Sequence, residues 1–241
     1  MLFYRPYGVG MYLDPTYILV IAGAILSILA SAKVKSTYAR FSRVQSISGY
    51  TGATAAEAIL RRAGIYDVRV QQVRGHLTDH YDPRNKTLNL SDSVYGSTSV
   101  AAIGVAAHEC GHAIQHARNY VPLQIRSAIV PVVNLGTTLA WPMIALGLII
   151  TSSSGNLLLN IGVIAFSLGV LFQLITLPVE FNASGRALTI LKESGILRND
   201  ENYGARKVLT AAALTYVAGA VAGILQLLRI LIIIGGRRRD D

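Results

Sequence analysis

The longest uncharged stretch of this sequence runs for 53 residues, from Ser127 to Val179. A helix rises 1.5 Å per residue and the hydrocarbon core of a bilayer is about 30 Å thick, so one straight helix of this length would overshoot any membrane. Near its middle, residues 151–156 read TSSSGN, which is typical of a polar turn. The pattern predicts a transmembrane hairpin over residues 127–178, with both ends on the same side of the membrane.

A second apolar run predicts another membrane helix. Residues 15–32 carry no charged side chain and are just long enough to cross the hydrocarbon core. Arg5 is the only basic residue before this run, whereas Lys33 and Lys35 follow it directly. Because basic residues accumulate on the cytoplasmic side, residues 15–32 are expected to form transmembrane helix 1, and residues 1–14 an extracytoplasmic segment.

A last apolar run, residues 211–236, is interrupted by Arg229. It is expected either to span the membrane or to lie along it, which gives three to four transmembrane helices. The composition agrees with a membrane protein, since 52% of the residues are hydrophobic and only 15% are charged, against about 25% charged in soluble domains. The formal charge of +9 resembles that of a nucleic-acid-binding surface. The basic residues flank apolar runs, however, so no nucleic-acid partner is expected.

The remaining residues, 33–126 and 179–210, form the predicted soluble part. They carry 12 and 5 of the 22 basic residues, so the positive-inside tendency places both pieces in the cytoplasm. The single cysteine, Cys110, excludes an intrachain disulfide, and its phase on the helix predicts a packed position in the core. The expected fold is a mainly α (α+β) membrane protein with a small cytoplasmic domain.

The candidate chemistry lies in residues 97–119, which are expected to form one helix because capping residues precede a run of helix formers. His108 and His112 are one turn apart on one face, so both imidazoles can reach one Zn²⁺. Glu109 lies beside them and can deprotonate a water whose pKa the metal lowers. An H-E-x-x-H match also arises by chance in helices whose polar residues face a domain interior. The apolar residues 100–107 favour the metal, because buried imidazoles and a carboxylate need partners.

A catalytic zinc normally has a third protein ligand. The extended motif with a third histidine is excluded, because Gln115 and Arg118 occupy the positions of its glycine and histidine. Glu180 is the predicted third ligand: Pro178 marks the expected exit from the hairpin, and the acid then opens a helical segment on the same side as His108. The alternative for Glu180 is an ordinary acidic residue at a helix N-terminus.

Three segments, HECGHAIQH, LPVEFNASGRAL and AAALTYVAGA, together resemble the YugP-type neutral zinc metallopeptidases of bacterial membranes. The resemblance runs from the first apolar run to the last, and it extends more distantly to the HtpX and Ste24 membrane proteases. It implies a zincin-like metalloprotease domain in which His108, His112 and Glu180 bind Zn²⁺ and Glu109 is the general base.

Four further residues are candidates for supporting roles. Ser184 stands where the wider HtpX-like pattern has an aspartate, so Ser184 or Asn182 is expected to orient a ligand histidine instead. Tyr216 and Arg206 are candidates for stabilising the oxyanion, because acyl transfer needs a hydrogen-bond donor near the developing charge.

Residues 82–91 predict a tight turn and a short strand just before the catalytic helix. The resemblance to zincins implies an edge strand at this place, to which an extended peptide substrate could add by main-chain hydrogen bonds. An ordinary hairpin is the alternative.

Taken together, the residues favour a multi-pass cell-membrane zinc metalloendopeptidase with its active site on the cytoplasmic side. It is expected to hydrolyse peptide bonds in peptides or proteins, with membrane proteins as a substrate class by location. One alternative is a site-2-type intramembrane protease, whose H-E-x-x-H motif lies inside a spanning helix, but no Leu-Asp-Gly follows the motif here. Another alternative is a non-catalytic membrane protein that binds zinc through the same cluster.

Overall fold

The computed structural model describes residues 14–150 and 152–240, with side chains as far as residue 236. The expected extracytoplasmic segment 1–14 lies outside the described residues, apart from Asp14. The described residues form these elements in chain order: α1 (Tyr17–Phe41), α2 (Gly52–Arg62), β1 (Arg69–Val73), β2 (His80–Asp82), β3 (Thr87–Ser91), α3 (Asp92–Tyr95), α4 (Val100–Ala117), α5 (Val121–Ile149), α6 (Ser153–Ser194) and α7 (Asn199–Asp240).

Four of these helices, α1, α5, α6 and α7, are long and apolar enough to cross a membrane. At most 22% of any of their apolar segments is buried inside the protein, so most of the apolar side chains face outward, as they do on membrane-spanning helices. The prediction of a mainly α membrane protein with three to four such helices is confirmed. Among the described residues, α4, which carries the H-E-x-x-H motif, is not one of the four.

Helices α5 and α6 form an antiparallel pair joined by residues 150–152, at the start of the predicted polar turn. Glycines let the two helices approach closely. A Cβ at Gly147 would lie 2.7 Å from Leu159, and one at Gly162 would lie 2.8 Å from Ile144. These contacts bring the two backbones close together in the half of the pair nearest the turn.

The helix α6 continues without a break through Pro178, so the expectation that Glu180 opens a new helical segment is wrong. Proline removes a single backbone donor from a helix, and contacts with α4 and α7 support this part of α6. With 42 residues, α6 is about 63 Å long, roughly twice the thickness of the hydrocarbon core. One continuous helix therefore runs from the apolar hairpin into the soluble part and carries Glu180 there.

The soluble part contains a three-stranded sheet in the order β1-β3-β2, with β1 parallel and β2 antiparallel to β3. In this order β3 is the central strand, so the expectation of an edge strand before the helix with the H-E-x-x-H motif is wrong. All five residues of β3 are buried. The parallel partner β1 comes from further upstream and covers the edge that a hairpin alone would leave free. The main core lies between this sheet, α2, α4 and the ends of α6 and α7, and includes Ile59, Leu90, Ile103, Leu191 and Leu209.

The helix α7 packs antiparallel to α1. Gly23 of α1 lies against Ala222, where an added Cβ would be 3.1 Å away, and Phe41 lies against Gly204. At the other end of the pair, Arg229 stands over the ring of Tyr17 at 4.0 Å. The charge of Arg229 within an apolar run is thus accommodated by a contact with α1.

Candidate active site

The candidate metal ligands His108, His112 and Glu180, called the metal cluster below, come together where α4 and α6 pack at close range. Gly111 of α4 lies directly against Ala183 of α6, and a Cβ added at Gly111 would overlap the carbonyl oxygen of Ala183. Only glycine permits this approach of the two backbones. Because His108 and His112 flank this glycine and Glu180 precedes Ala183 by three residues, the contact brings the three side chains together.

The three side chains converge on one point. The Nε2 atoms of His108 and His112 lie 3.3 Å and 3.6 Å from the Oε2 atom of Glu180, and the candidate ligand atoms of the three residues all lie within 4.8 Å of one another. Ligands at 2.0–2.1 Å from a tetrahedral zinc are separated by about 3.3 Å. The two distances from the histidines to Glu180 are therefore close to those between zinc ligands.

The hydrogen bonds around the cluster also fit a metal. The Oε2 atom of Glu180 is buried and has no hydrogen-bond partner, although a buried carboxylate oxygen normally has one. The Nδ1 atom of His108 lies 3.0 Å from Ser184 Oγ, and the Nδ1 atom of His112 lies 3.0 Å from Gln115 Oε1. Gln115 Oε1 only accepts, so His112 donates from Nδ1 and has its lone pair on Nε2. Ser184 Oγ can accept from His108 Nδ1 and so allows the same arrangement there.

Two residues that sequence reasoning missed support these ligands. Gln115, which is fully buried, accepts from His112 and donates through Nε2 to the carbonyl oxygen of Val179 at 2.8 Å and to Asn182 Oδ1 at 3.0 Å. Asn182 therefore acts on His112 through Gln115 rather than directly. The spacing of three residues from His112 on a helix was the available signal for Gln115.

Arg126 is the second missed residue. Its Nη1 atom donates to Glu180 Oε1 at 3.0 Å and holds the carboxylate so that Oε2 faces the histidines. No local pattern indicates this contact, because 54 residues and the whole hairpin separate the two side chains along the chain.

Beside the cluster lies a cavity of about 290 Å³. Glu109 and Tyr216 line it together with His108 and Glu180, and the carboxylate of Glu109 makes no hydrogen bond to another described residue. The walls are otherwise mainly apolar and come from four helices and the loop before β2; they include Val34, Leu77, Val105, Val208, Leu209 and Ala212.

Arg206 does not reach this cavity. It lines a separate surface pocket with Lys192 and Tyr203, because its position on α7 turns it away from the face that carries Tyr216. Of the two residues considered for the oxyanion, the structure brings only Tyr216 to the metal cluster.

Opposing influences act on the imidazole of His112. Burial lowers its pKa, but the nearby carboxylate of Glu180 and the negative charge of Glu109 outweigh this effect and hold the pKa above its ordinary value. The surroundings of His112 thus favour a positive charge, as expected where carboxylates converge on a cation site.

The fold and the cluster together define a protein with four helices long and apolar enough to cross a membrane and a group of two histidines and a glutamate that could hold a metal ion. The chain belongs to the family described as "Putative neutral zinc metallopeptidase", whose profile matches residues 16–235. It is also similar to the "Putative membrane protease YugP" of Bacillus subtilis (strain 168), with 50% identity over 220 residues, which cover 91% of this chain and 96% of that protein. No solved structure gives a significant match.

Proposed function

We propose that the protein is a membrane-bound zinc metalloendopeptidase of the gluzincin type, in which His108, His112 and Glu180 bind the metal. The observation that carries this proposal is the buried, unpartnered Oε2 atom of Glu180 facing two histidine Nε2 atoms. Family membership and the similarity to a membrane protease support the same activity. The substrates are peptides or proteins, and the position beside apolar helices favours membrane proteins among them.

Glu109 is the general base in this proposal. Zinc, when bound, supplies a Lewis acid that polarises the scissile carbonyl and lowers the pKa of water at the site. The Glu109 carboxylate borders the cavity without a competing hydrogen bond, so it is available to take a proton from the attacking water and pass it to the leaving amine. Tyr216 lines the same cavity, and in this proposal its hydroxyl donates to the developing oxyanion.

Replacement of the base tests the mechanism. Glu109→Gln is expected to retain zinc and to lose peptide cleavage by about 10²–10⁴-fold, the usual contribution of a positioned base. Glu57→Gln is a matched control, because Glu57 is exposed and pairs only with Arg61. Zinc content is measured by atomic absorption, and cleavage with a panel of quenched fluorescent peptides and denatured membrane proteins.

Two outcomes would reject the assignment. Unchanged cleavage by Glu109→Gln would exclude it as the base, and a zinc-loaded wild type that cleaves nothing in the panel would favour the non-catalytic zinc-binding alternative. The site-2-type alternative finds less support, because α4 packs in the main core of the soluble part and is not among the four long apolar helices of the described residues.

We also propose that the active site faces the cytoplasm. The supporting observation is the excess of basic residues in 33–126 and 179–210, which hold 17 of the 22 when the two counts of 12 and 5 are added. Asn85 and Ser154 are exposed, the first beside the sheet and the second at the hairpin tip. In Asn85→Cys and Ser154→Cys variants, a membrane-impermeant maleimide added to intact cells is expected to label only position 154. Labelling of position 85 alone would invert the proposed topology.

A further inference from the structure

A second groove of the described surface lies outside the metal site. It has a volume of about 740 Å³ and shares no lining residue with the metal cavity. It follows α6 from Pro178 to Glu193, and Ile114 of α4 and Arg118, the residue after α4, also line it. The proposed peptidase mechanism leaves this groove unused.

The groove carries a net positive charge, because three arginines, Arg62, Arg118 and Arg186, line it together with one acidic residue, Glu193. Arg118 and Arg186 both line it, and neither forms an ion pair with a described acidic residue. Arg186 donates from Nε to Asn182 Oδ1 at 2.7 Å, and its guanidinium lies 5.8 Å from the centre of the Tyr120 ring. This hydrogen bond uses one nitrogen and leaves the terminal nitrogens of Arg186 available. The guanidinium of Arg118 makes no hydrogen bond to a described residue.

One end of the groove is apolar. It lies beside the part of α6 where the uncharged stretch of residues 127–179 ends. Pro178 and Phe181 form this end, and the side chain of Phe181 is half exposed. Arg186 follows Pro178 by eight positions, or about 12 Å along the helix. The polar headgroup layer begins at the boundary of the hydrocarbon core and is about 5–7 Å thick on each side. Since long basic side chains reach toward this layer, the guanidinium groups and the apolar end match the two parts of a lipid.

We propose that this groove binds an anionic phospholipid. Arg118 and Arg186 contact the phosphate, for which planar guanidinium groups are well suited, and Pro178 and Phe181 contact the first part of an acyl chain. A soluble acidic peptide would satisfy the arginines but would leave the apolar end at the membrane side uncovered. A lipid of zero net charge would leave part of the positive charge unbalanced.

The test uses the full chain, without substrate, reconstituted in nanodiscs of phosphatidylcholine with or without phosphatidylglycerol. Lipid that stays bound after transfer to detergent is counted by native mass spectrometry, and affinity is measured by displacement of a fluorescent phosphatidylglycerol. Wild type is expected to retain phosphatidylglycerol in preference to phosphatidylcholine. Arg118→Gln/Arg186→Gln is expected to bind it about 25-fold more weakly, at about fivefold for each arginine.

A matched control separates a specific site from a general charge effect. Arg69→Gln/Arg84→Gln removes the same charge from exposed positions on the sheet and its turn, and it is expected to bind lipid as wild type does. Because Arg118 has no described partner, Arg118→Glu alone is expected to fold and to weaken lipid binding, which guards against misfolding of the double variant. Equal losses in both double variants, equal retention of the two lipids by wild type, or binding of a soluble acidic peptide in place of lipid would each overturn the proposal.

Discussion

Gln115 is fully buried and joins His112 to the backbone of α6, since its amide accepts from one and donates to the other. Gln115→Leu keeps the volume but removes all three side-chain hydrogen bonds, to His112, Val179 and Asn182, so His112 loses the partner that fixes its ring orientation. We expect zinc affinity to fall about 10–100-fold, as it does when the partner of a ligand histidine is lost. Competition with a zinc-selective chelator measures the change. Gln124→Leu at an exposed position is the control, and equal affinities in the two variants would contradict the role of Gln115.

The buried position of Cys110 predicts a thiol of low reactivity. The thiol is completely buried and donates to the carbonyl oxygen of Ala56 at 3.6 Å. Burial raises its pKa well above the usual range, and the charge of Glu109 raises it further. The thiolate form, which is the nucleophile, therefore stays scarce through neutral and mildly alkaline pH.

Maleimide is accordingly expected to leave the native protein unlabelled and to modify Cys110 only after unfolding in denaturant, as followed by intact-protein mass spectrometry. Rapid labelling of the folded protein would mean that α4 is open to solvent at this position. The absence of background labelling also makes the wild-type chain a suitable starting point for the introduced cysteines described above.

Among the elements, the contact between α4 and α6 leaves no room for an added carbon at Gly111. Gly111→Ala places a methyl group on the backbone of Ala183, which cannot rotate away as a side chain could, so α6 must shift and carry Glu180 with it. We expect a loss of about 1–3 kcal/mol in stability, the usual cost of overpacking, together with weaker zinc binding. Thermal unfolding with and without added zinc measures both effects.

Gly185→Ala is the corresponding control on α6, because nothing lies within 4 Å of the added carbon. Alanine is a better helix former than glycine by about 1 kcal/mol, so this variant is expected to be as stable as wild type or slightly more stable. If the two variants behave alike, the close approach of α4 and α6 does not set the geometry of the cluster.

The elements differ in how far the sequence predicted them. The helix with His108 and His112 has a local period of 3.6 residues, and the hairpin has a local apolar pattern, so both could be inferred. That Glu180 joins the histidines followed from the even number of membrane crossings between them. The central position of β3 depends on a parallel partner 18 residues upstream, and the contact of Arg126 with Glu180 depends on the three-dimensional crossing of α5 and α6. No local pattern encodes either one.

At Pro178, too, the local sequence pattern differs from what the three-dimensional contacts allow. A proline beside a change from apolar to polar sequence predicts the end of a helix, yet α6 continues through it because neighbouring helices support the backbone at that point. The continuity of α6 also affects how far the metal cluster lies from the bilayer. The segment in the membrane and the segment that carries Glu180 are one helix, so the distance between the metal cluster and the bilayer is fixed by helix geometry rather than by a flexible linker.

Helices α1 and α7 contact each other far from the metal cluster, where Arg229 of α7 lies over Tyr17 of α1. The guanidinium of Arg229 lies 4.0 Å from the centre of the Tyr17 ring and 3.9 Å from the Asp14 carboxylate, and its Nε atom is buried without a hydrogen-bond partner among the described residues. An arginine with so little solvation depends on the ring face beside it. We expect Tyr17→Leu to lower the free energy of unfolding by about 1 kcal/mol, within the range for a partly desolvated cation and aromatic ring.

Tyr17→Phe preserves the ring and is expected to remain as stable as wild type, which separates the ring from the hydroxyl group. In an Arg229→Met background the same Tyr17→Leu change should cost much less, because the cation is gone; the difference between the two costs is the coupling energy of the pair. The free energy of unfolding in detergent micelles is measured by circular dichroism for wild type, the two single variants Tyr17→Leu and Arg229→Met, their double variant, and Tyr17→Phe. A coupling energy of zero would mean that α1 and α7 are held together by their small residues, such as Gly23 against Ala222, and that Arg229 contributes nothing to their pairing.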